Sequence, residues 1–129
     1  MTCIEKTIKT SEMSGITIIS KRLIELVRER EFVKALQELF STEAVSIDPT
    51  RPGAEPVKGL SKLIEMERHF LSRVYICDIE VSEAIHAGDY FAIRMFMNFI
   101  IEGKERRVDE LCVYKVSQGK IVSQQFFIA

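Results

Sequence analysis

At Val74 the apolar residues of this chain change period, and that switch constrains the fold more than any other feature. Before it, they recur every three or four positions. Ile16, Ile19, Leu23, Leu26 and Val27 make one stripe, and Phe32, Ala35, Leu36, Leu39 and Phe40 make a second. Leu60, Leu63, Ile64, Phe70 and Leu71 make a third. That spacing marks helices with one buried face. After the switch, in VYICDIEVSEAIHA, Tyr75, Cys77, Ile79, Val81 and Ile85 alternate with more polar neighbours. This is the period of a half-buried strand. Gly88-Asp89, EGKE and SQGK then separate YFAIRMFMNFII, RRVDELCVYKV and IVSQQFFIA. Four long strands joined by short glycine-bearing turns predict an antiparallel meander. AVSID, at 44–48, adds a short strand.

The order is helix, helix, short strand, helix, four strands, which is α+β with the helices gathered on one face of the sheet. Strands this long twist strongly, and a twisted sheet curls. Helices laid across its concave side leave a cone-shaped space, the natural seat for a small ligand. Residues 1–13, MTCIEKTIKTSEM, lack a convincing period and read as a flexible N-terminal extension. Ser14-Gly15 reads as the helix start, so a single domain is expected over 14–129.

Composition enters mainly through what it excludes. The net charge is −1, from 18 basic and 19 acidic residues, and the two signs are interleaved. Nucleic-acid binding needs a clustered positive face, so it is not expected. The 3 cysteines, Cys3, Cys77 and Cys112, are widely spaced, which suggests neither a metal site nor a disulfide framework. No cofactor is expected. No apolar run is long enough to cross a membrane, and nothing at the N-terminus reads as a signal peptide. The expected compartment is the reducing cytoplasm.

The short strand ends on Asp48-Pro49. Proline fixes its own φ and pushes the residue before it into an extended shape. The pair has two readings: ordinary turn chemistry, or a carboxylate held at the mouth of a pocket.

Four features in order, KALQELF closing a helix, AVSIDP, GAEPVKG before a helix, and a final GKIVSQQFF, resemble the nuclear-transport-factor-two-like superfamily. The similarity, to its SnoaL-like and ketosteroid-isomerase-like branch, covers about residues 17–128. It implies a cystatin-like, cone-shaped α+β barrel, usually dimeric, with an apolar pocket. It also implies that Asp48 stands where the isomerases keep their catalytic base, so a partly desolvated Asp48 would have a raised pKa. In ketosteroid isomerase the oxyanion hole is a tyrosine and a protonated aspartic acid. Those two positions fall here on Leu23 or Ile24 and on Cys112. None of these donates strongly, which argues against steroid isomerisation.

If Cys112 faces inward, the pleat turns Glu110 and Tyr114 inward with it. The neighbouring strands then present Ile93, Met95, Met97, Phe99 and Ile101, and Gln124, Phe126 and Ile128. Asp48 is the candidate catalytic residue. Met66 and Phe70 of the third helix join Met95, Met97, Phe99, Glu110, Cys112, Tyr114, Gln124 and Phe126 as candidate ligand-binding residues. His69 and His86 are expected in solvent. The opposite, convex sheet face carries Ala92, Phe96, Ile100, Leu111 and Val113 among Arg94, Asn98 and Asp109. Such a face predicts a homodimer. The partner inside the cone is expected to be a small apolar molecule. Two function classes remain: a proton-transfer enzyme of isomerase, cyclase or dehydratase type, and a non-catalytic ligand-binding or dimerisation module.

Overall fold

The computed structural model describes residues 2–49, 53 and 55–129, with side chains from residue 15 onward. Three helices, α1 (Thr2–Arg28), α2 (Phe32–Leu39) and α3 (Leu60–Arg73), cover one face of a seven-stranded sheet. The strands are β1 (Phe40–Ile47), β2 (Val57–Lys58), β3 (Val74–Val81), β4 (Ile85–Ala87), β5 (Tyr90–Ile101), β6 (Lys104–Ser117) and β7 (Lys120–Ile128).

The helix expected to begin at Ser14-Gly15 runs back to Thr2. MTCIEKTIKTSEM contains no proline or glycine, so nothing stops the helix, and Gly15 within it costs only about 1 kcal/mol relative to alanine. The α1 stripe does the packing. Ile19, Leu23, Ile24, Leu26 and Val27 are buried, and Ala35, Leu36 and Leu39 of α2 join them against Phe91, Ile93, Cys112, Tyr114 and Ile121 of the sheet.

A tight turn separates α1 from α2. Arg30 takes a left-handed conformation there, φ 63°, which is uncommon outside glycine. Its guanidinium bridges the carbonyls of Ile76 and Cys77 at 2.8 and 3.2 Å. Arg28 reaches the carbonyl of Val81 at 2.7 Å. These contacts fix the end of α1 to β3 and offset the strain of the turn. The same carbonyls flank the bulge between Ile76 and Asp78 in the β3–β5 ladder, where a regular partner is missing.

The sheet runs β2-β1-β7-β6-β5-β3, with β4 also on β5. The β5–β6 and β6–β7 turns, Glu102-Gly103 and Gln118-Gly119, have positive φ at both positions, the turn form whose twist matches that of the strands. Two expectations need correction. The sheet is mixed, because β1 pairs with β7 in parallel. The expected 74–87 strand is two strands: at Ser82 the hydroxyl accepts from the Arg94 N–H at 2.8 Å, so a side chain replaces the backbone and the ladder breaks. The sheet is curved and does not close on itself. Among the described residues, no helix is long and apolar enough to cross a membrane.

Candidate functional site

Between the helices and the concave side of the sheet lies a cavity of about 500 Å³. Its walls follow from strand register. On the inner face, Met95 of β5 lies beside Glu110 of β6, and Glu110 beside Ile128 of β7. Met97 lies beside Val108. Met66, Phe70 and Leu63 close the space from α3, with Phe32 and Leu36 from α2. Phe70 meets Phe99 edge to face, with centroids 5.5 Å apart. Phe126 and Gln124 complete the wall on β7.

Asp48 follows the last residue of β1 and lines the cavity, half-buried. The parallel pairing sets Ser46 beside Gln124, and the Gln124 amide donates to the Ser46 hydroxyl at 3.0 Å. This bond satisfies the hydroxyl of Ser46, a residue only 8% exposed, and it ties together the two strands beside Asp48. Part of the following loop, including Pro52, lies outside the described residues.

Of the residues read from the sequence as a site, Asp48, Met66, Phe70, Met95, Met97, Phe99, Glu110, Gln124 and Phe126 come together on this wall. Cys112 and Tyr114 do not. They face inward as expected, but one and two rows deeper, where α1 and α2 cover them. Tyr114 stacks on Phe91, centroids 4.9 Å apart, and meets Phe40 edge to face. His86, expected in solvent, is half-buried: its Nε2 lies 2.9 Å from the Oγ of Ser20. Ser20 donates to the carbonyl of Thr17, so the imidazole donates to Ser20. The ring rests against Phe91, an assignment to packing.

Sequence reasoning missed Glu67, which also lines the cavity. The signal was present: Leu63, Glu67 and Phe70 stand at i, i+4 and i+7, so one carboxylate sits inside an apolar stripe. Burial pushes the Glu67 carboxyl up from its ordinary range. Burial also pushes Glu110 up, to about 7, helped by the nearby Asp48 and Glu67 and opposed by its bond from the Cys112 thiol. That thiol lies 3.7 Å from Oε1 and is itself held far above the usual thiol range by burial. Three carboxyls, from α3, from β6 and from the loop that leaves β1, therefore line one apolar space. Among the described residues no cluster of acids, histidines and cysteines has the arrangement of a metal site.

Residues 14–128 match the family model of the SnoaL-like domain. The chain belongs to that family. A candidate SnoaL-like polyketide cyclase from Mesorhizobium loti is 23% identical, with 87% of this chain and 97% of that one covered and a TM-score of 0.81. An isomerase candidate from Bacillus subtilis is 12% identical over 92% and 88%, TM-score 0.72. An LEH-like epoxide hydrolase from M. tuberculosis is 12% identical over 90% and 84%, TM-score 0.68. At such identities these SnoaL-like and nuclear-transport-factor-two-like structures share the fold with this chain. No curated protein matches it in sequence.

Proposed function

We propose that this SnoaL-like protein binds a small, largely hydrophobic molecule in the cavity and moves a proton on it, with Asp48 as general base. The observation that carries this reading is a cavity of about 500 Å³ whose apolar wall includes the half-buried Asp48. Such a volume lies within the range of small-molecule sites. A carboxylate held at the end of a strand, with Pro49 behind it, is oriented before the ligand arrives, and a positioned base contributes about 10²–10⁴ in rate. The structural neighbours named as a SnoaL-like cyclase candidate and as an isomerase candidate fit the same class of chemistry.

A second reading, ligand binding without catalysis, draws support from the donors. Leu23 and Ile24 are core residues, and Cys112 lies wholly buried with its thiol committed to Glu110. An enolate formed by Asp48 would lack the donors that a steroid isomerase uses. The deciding experiment compares wild type with Asp48→Asn. Panels of small cyclic ketones and epoxides are screened for binding by thermal shift and for proton exchange by NMR in D₂O. Exchange lost in Asp48→Asn, with binding kept, supports the base. Binding without any exchange in the wild type refutes it.

We also infer a homodimer through the convex sheet face. Ile100, Leu111 and Phe127 stand exposed there around the bidentate Arg94–Asp109 pair, both contacts 2.9 Å. A two-fold axis through this face would set the same apolar side chains against their copies, with the Arg94 and Asp109 charges pairing within or across the contact, which suits a second copy of this chain. The free thiols of Cys77 and Cys112 fit a reducing cytoplasm.

A further inference from the structure

We propose that the ligand of this cavity carries a basic nitrogen, so that the site takes a small hydrophobic amine in its ammonium form and sets the carboxylates of Glu110 and Glu67 against it. The proposal rests on the reading of the cavity as a ligand site and names the class of ligand.

The argument begins with the sign of the wall. Among the described residues its polar groups are Asp48, Glu67, Glu110, Ser46 and Gln124. Ser46 and Gln124 already bond to each other. No lysine, arginine or histidine lines the space among the described residues. Glu67 and Glu110 arrive independently, from α3 and from β6. Carboxylates crowded into an apolar space are unfavourable unless something balances them, and no cation among the described residues of the wall balances these two. A carboxylate or phosphate ligand would add to that imbalance. A neutral ligand would leave it unchanged. An ammonium ion reduces it by one charge.

The rest of the wall suits the remainder of such a molecule. Met66, Met95 and Met97 offer flexible, polarisable surface that adapts to a hydrocarbon's shape. Phe70, Phe99 and Phe126 offer ring faces that attract a cation as well as apolar carbon.

The proton makes the binding measurable. The groups around Glu110 are Cys112 on its own strand, Asp48, Glu67, and the apolar Met95 and Ile128 alongside. With Glu110 titrating at about 7, most of it is neutral at pH 6 and most is ionised at pH 8. An ammonium ligand selects the ionised form and expels the proton, so its affinity rises with pH by roughly tenfold over that interval. An alkylamine, with a pKa close to that of lysine at about 10.4, stays charged throughout.

The test is isothermal titration calorimetry on the full chain with three molecules of nearly one shape: cyclohexylmethylamine, cyclohexylmethanol and cyclohexanecarboxylate. The amine is expected to bind at least tenfold tighter than the alcohol at pH 8, and the carboxylate not at all. Amine affinity is expected to rise about tenfold from pH 6 to pH 8, with proton release at pH 6 seen as a dependence of the heat on buffer. Glu110→Gln should abolish the rise, and Glu67→Gln should weaken the amine while leaving the alcohol alone. An alcohol as tight as the amine at pH 8 overturns the amine class and leaves the cavity reading standing. Amine binding indifferent to both substitutions also overturns it. Binding by none of the three overturns both.

Discussion

Glu110→Gln should stabilise the protein above neutral pH. In the folded chain burial raises the Glu110 carboxyl from 4.5 to about 7, so between those values the native state holds a proton that the unfolded state has lost. Stability then falls as pH rises through that window; the contribution is intact below about 4.5 and lost above about 7. At about 1.4 kcal/mol for each tenfold change in proton affinity, the loss is about 3 kcal/mol. Glu110 is partly exposed to an open cavity, so screening by water brings the expected value nearer to about 2 kcal/mol. Glutamine keeps the shape and still accepts from the Cys112 thiol, but it never ionises. Urea unfolding at pH 5 and pH 8 measures both proteins. At pH 5 they should be within about 1 kcal/mol of each other; at pH 8 the variant should lead by about 2, a difference of several degrees in Tm. Taking the difference between the proteins cancels most of the other carboxylates. A gap between the two that is the same at both pH values refutes the burial argument.

Further outcomes follow from packing and surface. Phe91, 1% exposed and stacked on Tyr114, should cost about 3–5 kcal/mol when cut to alanine, read from denaturant melts; a loss under about 1 kcal/mol would contradict its place in the core. Phe96→Glu should convert the inferred dimer to a monomer by light scattering, because it sets two carboxylates in the contact beside Asp109, its cross-strand neighbour; a dimer that survives it rules out the sheet face. A steroid enone-shift assay should show no turnover above background, since Leu23, Ile24 and Cys112 stand where the family resemblance places the oxyanion donors; rapid turnover that depends on Asp48 would overturn that reading.

Strand parity was legible in the sequence because it is local. Each residue of β5, β6 and β7 alternates sides, so placing Cys112 inward also placed Met95, Met97, Glu110 and Phe126, and the register agrees. The break at Ser82 was not legible, because the serine hydroxyl that interrupts the ladder is matched to Arg94, twelve residues away. Nor was the parallel β1–β7 pair, which joins Ser46 to Gln124 across most of the chain. No local pattern encodes a partner that distant. The return of β7 alongside β1 nonetheless sets the site, since it brings Gln124 to Ser46 two residues before Asp48.

Parity gives the side of the sheet but not the depth, and here depth separates chemistry from packing. Glu110, Cys112 and Tyr114 share one face of one strand, yet Glu110 meets the cavity while Tyr114 is sealed between Phe91 and Phe40. The difference is made by the helices above: the buried stripes of α1 and α2 cover the inner rows, and α3, with Met66, Glu67 and Phe70, roofs the outer ones. A helix that only sealed a core would have no use for a carboxylate between Leu63 and Phe70. By periodicity alone, Glu67 is a flaw in the α3 stripe. Desolvated there, with no cation among the described residues of that wall, it is a cost to the fold that a bound ligand of the right charge would relieve.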